Sequence, residues 1–142
     1  MRAEFDDTLV TGNEMIDAQH KELIDKINQL LEACEGEGSQ AKVKAVKMLD
    51  YLMDYTEFHF TAEEKLQEEI GYPGLAKHIE KHNELRRTVK ELQEMLEEEQ
   101  APSDIFVKQV EKNVVAWLYD HIKGFDRSVA EFKHLRSNPE LL

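Results

Sequence analysis

Five histidines of this 142-residue chain stand where the hydrophobic period calls for a core residue. His20 falls in the row Ile16, Leu23, Ile24, Ile27, Leu30 and Leu31. His59 and Glu63 share a stripe with Val43, Val46, Leu49, Leu52, Tyr55 and Leu66. His78 and His82 interrupt Leu75, Leu85, Val89, Leu92 and Leu96, and His121 follows Ile105, Val107, Val110, Val114, Trp117 and Leu118. An imidazole turned into an apolar interior needs partners for its ring nitrogens, or it destabilises the fold. A single one is ordinarily a satisfied core histidine. Five, spread over four segments, would need five separate partners among aliphatic neighbours, and a shared metal meets that need more simply.

The spacings support a common site. His59 and Glu63 are four residues apart, as are His78 and His82, which places each pair about 40° apart and one helical turn from each other. Each pair can therefore reach one ion or two adjacent ions. His121 and Asp126 are five apart, about 140° on an ideal helix. Asp126 joins the site only if the helix ends or distorts near Lys123-Gly124; otherwise it is an ordinary N-cap for the terminal segment. Five imidazoles and two carboxylates overfill one octahedral ion. If both carboxylates bridge, the histidines divide three and two, and an oxygen from water can complete the bridge. One ion is then six-coordinate and the other five-coordinate with a position open. Histidine and carboxylate without thiolate suit iron, manganese or zinc, and an open position is what a ligand-binding metal requires.

Other chemistries lack their motifs. His78-Ile79-Glu80-Lys81-His82 has no Glu directly after the first histidine, so it is not the zinc-protease helix. The paired Glu-x-x-His of ferritin-like bundles occurs only once, at Glu131 and His134. There is no Gly-rich phosphate loop and no Gly-x-Ser-x-Gly. The lone Cys34 has no activating neighbour in sequence and reads as a small apolar residue near a helix end.

The elements that must position these groups are helices. Asp17 is a candidate cap for a first helix over about 17–34, ended by Glu35-Gly36-Glu37-Gly38-Ser39. A second spans about 40–69, up to Gly71-Tyr72-Pro73-Gly74. A third covers about 73–99, with Pro73 in its first turn, and a fourth, capped by Ser103, covers about 103–123. An N-terminal arm, 1–16, precedes them and a short helical segment, 124–142, follows. Four long amphipathic helices with short loops predict an all-α, up-down-up-down antiparallel four-helix bundle in a single domain, 1–142. The charge runs, Glu64 and Glu97-Glu98-Glu99 among them, read as solvated faces, with Glu63 the exception.

Composition narrows the partners. Lys and Arg number 18 against 30 Asp and Glu, a formal charge of −12. That acidity argues against nucleic acid and anionic membranes, both of which need basic patches. No apolar run approaches the length of a membrane span, and the first residues have no apolar signal region. A cytoplasmic location and a monomeric state are the expectations.

These residues resemble the hemerythrin family, and its bacterial members most closely. The matching stretches are Thr11-Gly12, Ile16-Asp17-Ala18-Gln19-His20-Lys21, His59-Phe60-Thr61-Ala62-Glu63-Glu64, Tyr72-Pro73, the His78/His82 pair, and Trp117-Leu118 with His121-Ile122 and Asp126. The resemblance implies a four-helix bundle around a non-haem di-iron centre with an oxo or hydroxo bridge, binding O2 reversibly. By that resemblance His78, His82 and His121 hold one iron, His20 and His59 hold the other, and Glu63 and Asp126 bridge them. O2 would bind the five-coordinate His20/His59 iron. Leu23, Phe60, Trp117, Leu118 and Ile122 match the residues that line the apolar O2 pocket. The chain departs from the bacterial pattern at Phe5, where Trp is common, at Asn13, where Ile is frequent, and at Leu66-Gln67, where Met is often found. The function expected is that of an oxygen carrier, store, scavenger or sensor, with nitric oxide or small anions as further ligands. The alternative is a di-iron enzyme acting on O2, peroxide or nitric oxide.

Overall fold

The computed structural model describes residues 2–137; residue 1 of the expected arm and residues 138–142 of the expected terminal segment lie outside the described residues. It is an all-helical, up-down-up-down bundle with no strand among the described residues. Helix α1 spans Glu14–Ala33, α2 Gly38–Ile70 and α3 Leu75–Glu98. The fourth rod, α4, covers 104–137 without a break.

Local chemistry sets the ends. Asn13, not Asp17, caps α1, its side chain accepting from Ile16 N–H at 3.0 Å. Asp17 lies one turn inside and ties down the arm instead. Its carboxylate accepts from Thr11 N–H at 2.9 Å, Thr11 O–H at 2.7 Å and Gly12 N–H at 3.2 Å. Gly12 adopts φ +91°, a conformation open to glycine and costly for other residues. Gly71 ends α2 in the left-handed region, with Tyr72 N–H returning to the Gln67 carbonyl at 2.9 Å. Pro73 lies in the turn before α3 rather than in its first turn. Ser103 caps α4 by accepting from Phe106 N–H at 3.0 Å.

Two widened turns set α4 apart. At Glu111–Val115 and again at Ile122–Asp126 the helix adopts π geometry. In a π turn the bonds run five residues back, so residues five apart stack as residues four apart do in an α-helix. The rod therefore distorts near Gly124 without ending, and Asp126 returns to the inner face below His121. Arg127–Ser137 continues the same rod.

The core fills the bundle axis: Leu23, Ile27 and Leu30 from α1, Leu49 and Leu52 from α2, Leu85, Val89, Leu92 and Leu96 from α3, and Phe106, Val110, Val114 and Leu118 from α4. At the loop end of α2 the inner positions are Ala41 and Ala45, and Val43 faces solvent. Ile105 also faces outward. Both fell on the expected apolar stripes because the pattern favours large residues and overlooks alanines. The arm packs back through Ala3, whose N–H and C=O both bond the Asn28 amide, at 2.7 and 2.8 Å. Cys34 caps the end of α1, half-buried, and burial pushes its thiol up to about 11, with Glu99 and Glu35 adding to the shift. Among the described residues, no helix is long and apolar enough to cross a membrane.

Candidate metal centre

Each helix delivers its polar groups to one point on the axis. His20 comes from α1, His59 and Glu63 from successive turns of α2, His78 and His82 from successive turns of α3, and His121 and Asp126 from α4 across its second π turn. All seven side chains are buried, with His121 the most exposed at 4%.

The seven divide into two overlapping sets. Glu63, His78, His82, His121 and Asp126 present ligand atoms that all lie within 4.8 Å of one another. His20, His59, Glu63 and Asp126 form the second such set. The carboxylates belong to both, and their oxygens part accordingly. Glu63 Oε1 lies 2.8 Å from His78 Nε2 and 3.7 Å from His82 Nε2, whereas Oε2 lies 3.2 Å from His59 Nε2. Asp126 Oδ1 lies 3.0 Å from His78 Nε2 and 3.1 Å from His121 Nε2, whereas Oδ2 lies 2.7 Å from His20 Nε2. The Nε2 atoms of His78 and His121 are 2.9 Å apart.

These separations fit metal coordination. Around an octahedral ion with bonds of about 2.1 Å, adjacent donors lie about 3.0 Å apart and opposite donors about 4.2 Å. Hydrogen bonding within the protein does not satisfy the cluster. His20 Nε2, His59 Nε2, His82 Nε2, both Glu63 oxygens and Asp126 Oδ2 are buried without a hydrogen bond of proper geometry. Buried polar atoms without partners are rare, and here they point at one another. The donors thus suit metal binding, in two overlapping sets that share Glu63 and Asp126.

The far ring nitrogens show how the rings are oriented. His59 Nδ1 meets Gln19 Oε1 at 2.6 Å, and His82 Nδ1 meets Glu64 Oε2 at 2.7 Å. Each acceptor holds the proton on Nδ1 and leaves Nε2 bare for an ion. Gln67 Nε2 lies 2.8 Å from His78 Nδ1, while Gln67 Oε1 has no partner. A half-turn of that amide lets Oε1 accept the His78 proton and satisfies both groups. Glu64, expected on a solvated face, is therefore part of the centre, and Gln19 and Gln67 join it unanticipated. The available signal was position alone: Gln67 is four residues beyond Glu63, on the same helix face, and Gln19 adjoins His20.

Charge follows the same geometry. Burial lowers the pKa of His78, but bonding to Asp126 and Glu63 outweighs it and lifts the imidazole to about 9. Burial pushes His82 far below its ordinary value, and His78 and His121 push it further. Asp126 would be raised by burial, yet His121, Glu63 and His20 hold it well below the usual carboxylate range.

Aromatic and aliphatic side chains enclose the cluster. Phe60 stacks on His82 at 3.8 Å and 6°, and Trp117 stacks on His121 at 4.4 Å and 12°. Phe60 and Trp117 lie 6.4 Å apart. Leu23 and Leu118 line a small, mostly apolar cavity of about 10 Å³ with Ile27, Leu52, Thr56, Leu85, Val89 and Val114; none of the seven polar residues lines it. Thr56 donates its hydroxyl to the Leu52 carbonyl at 2.7 Å, which keeps that polar group occupied. Ile122 is wholly buried in the adjoining core.

Comparison with known proteins points the same way. A family model described as the hemerythrin HHE cation binding domain matches residues 11–131. A bacteriohemerythrin of Stenotrophomonas maltophilia (strain R551-3) is 32% identical over 127 residues, covering 89% of this chain and 78% of that protein. One from Pseudomonas aeruginosa (strain LESB58) is 33% identical over 122 residues, covering 86% and 75%. The crystal structure of a wild-type hemerythrin superposes with a TM-score of 0.70 at 27% identity, covering 82% of this chain and 85% of that one.

Proposed function

The chain belongs to the hemerythrin family, and from that premise we propose that its His/Glu/Asp cluster holds two iron ions and binds O2 reversibly. His78, His82 and His121 would hold one ion, His20 and His59 the other, with Glu63 and Asp126 bridging. Two ferrous ions held there would supply the two electrons that reversible O2 binding draws on. The observation that carries the reading is the division of the carboxylate oxygens. Glu63 and Asp126 each turn one oxygen toward the three-histidine set and one toward the two-histidine set. The two-histidine set has fewer protein donors, so an ion held there would be the one left free to take O2.

The protein's contribution is to orient and to exclude. Gln19 and Glu64 fix the tautomers of His59 and His82, so those rings are ready to ligate without rearrangement. Phe60 and Trp117, stacked on His82 and His121, and the buried Leu23, Leu118 and Ile122 would keep bulk water and anions away from the bound iron.

Iron content and reversibility test the proposal together. The protein should hold two irons per chain, and repeated cycles of O2 and argon should switch its visible spectrum between two states without loss. A chain holding far below two irons after expression with ample iron would overturn the metal assignment. Irreversible oxidation with steady turnover of O2, peroxide or nitric oxide would replace reversible binding with enzymatic activity.

A further inference from the structure

Arg86, on α3 one turn beyond His82, belongs to no ligand set, yet its contacts lead to the centre. Its Nη2 lies 3.3 Å from Glu64 Oε2, the same oxygen that accepts from His82 Nδ1 at 2.7 Å. The guanidinium is itself anchored, with Nε 2.5 Å from Glu57 Oε1 and Nη1 2.9 Å from Asn83 Oδ1. Its central carbon also lies 5.1 Å from the centroid of Phe60, the ring that stacks on His82. Arg86 thus meets His82 by two routes, one through Glu64 and one through Phe60.

Glu64 has somewhere else to go. Its side chain is 22% exposed, and an ionised carboxylate at the bundle surface gains by turning to water. A surface ion pair alone contributes little. Here the arginine is fixed at two further points, which spares the entropy of ordering a long side chain at the moment it grips Glu64.

We propose that Arg86 is a positioning residue for the metal centre: by holding Glu64 on His82 Nδ1, it keeps the His82 proton on that nitrogen and leaves Nε2 bare toward Glu63. The inference rests on the proposed function for its consequence, but its immediate readout needs no metal. Nitrogen-15 NMR of the imidazole in metal-free protein reports which ring nitrogen carries the proton. Wild type should show His82 protonated at Nδ1. Arg86→Met, which keeps an apolar stem beside Phe60 without the fork, should raise the Nε2-protonated share about tenfold, the equivalent of one charge-assisted hydrogen bond. Glu64→Ala should do at least as much, and in that background Arg86→Met should add nothing. An unchanged tautomer in Arg86→Met, or an equal effect with and without Glu64, would overturn the proposal. If Arg86→Met does not fold, Glu57→Gln loosens the anchor while keeping both residues; it should shift the tautomer the same way, and no shift would be contrary. Anaerobic ferrous titration supplies the second arm. Arg86→Met should bind ferrous ion about tenfold more weakly than wild type, within the range for lost support of a metal-bound histidine, and equal affinity would show that Arg86 does not act on the centre. If wild type itself takes up no ferrous ion, the proposed function fails while the tautomer result still decides the role of Arg86.

Discussion

Removing the metal should lower the melting temperature by about 12–15 °C. Six ligand atoms, namely the Nε2 atoms of His20, His59 and His82, both Glu63 oxygens and Asp126 Oδ2, are buried without a hydrogen-bond partner in the protein. At about 1 kcal/mol each, the low end of the penalty for an unmet buried polar group, they destabilise the metal-free fold by about 6 kcal/mol. A proton on His78, shared with Glu63 and Asp126, offsets roughly 1–2 kcal/mol of that. The remaining 4–5 kcal/mol, at about 3 °C per kcal/mol for a chain of this size, gives the stated shift. The core clusters above and below the centre contain no ligand, so the metal-free chain should remain helical at room temperature and unfold in one step, only earlier. The assay is a circular-dichroism melt of metal-loaded and exhaustively chelated protein at neutral pH without oxygen. Melting points within about 3 °C of each other, with metal removal verified, would refute the reasoning.

Further outcomes are expected from the same geometry. His59→Ala should lose the two-histidine ion and all reversible oxygenation while keeping its helicity, as iron analysis and circular dichroism would show; oxygenation that survives would mean the ligand set is wrong. Truncating Leu23 or Trp117 to Ala should leave iron bound but speed autoxidation by about tenfold or more, followed by the decay of the oxygenated spectrum. In metal-free protein His78 is lifted from 6.5 to about 9. Its stabilisation is therefore fully present below pH 6.5 and lost as pH rises through about 9. Metal uptake must displace that proton, so affinity should rise over the same interval, and melts and titrations across it should move in opposite directions. Deleting Gly124 should relax the second π turn to α geometry and set His121 and Asp126 four apart, so metal content should be retained; its loss would show that the wide turn itself is needed.

The bundle and six of the seven polar positions, the five histidines and Glu63, were legible in the sequence because both follow from periodicity. His59/Glu63 and His78/His82 keep the four-residue spacing that one helical face demands. Asp126 was not legible from spacing alone, since a π turn leaves no fixed sequence mark and Gly124 could as well have ended the helix. The caps were legible where only one candidate existed, as at Ser103. At the first helix the expected cap, Asp17, is instead taken up by Thr11 and Gly12, and Asn13 caps the helix. Glu64 was read as a solvated face, and no role was given to Gln19, Gln67 or Arg86, for a different reason. Their positions depend on how neighbouring helices face one another, and that register is a property of packing rather than of any one helix.

Burial of so much polarity also explains the division of labour in the fold. The aliphatic layers supply stability, and the centre draws on it, so a bound metal would complete the core as well as the site. That central claim has a direct test. Anaerobically reduced protein, loaded with two irons per chain, is exposed to O2 and examined by resonance Raman spectroscopy with both oxygen isotopes, then flushed with argon. The account predicts an isotope-sensitive oxygen vibration that appears with O2 and vanishes on deoxygenation. Absence of any isotope-sensitive band, or one that persists after deoxygenation, would contradict it.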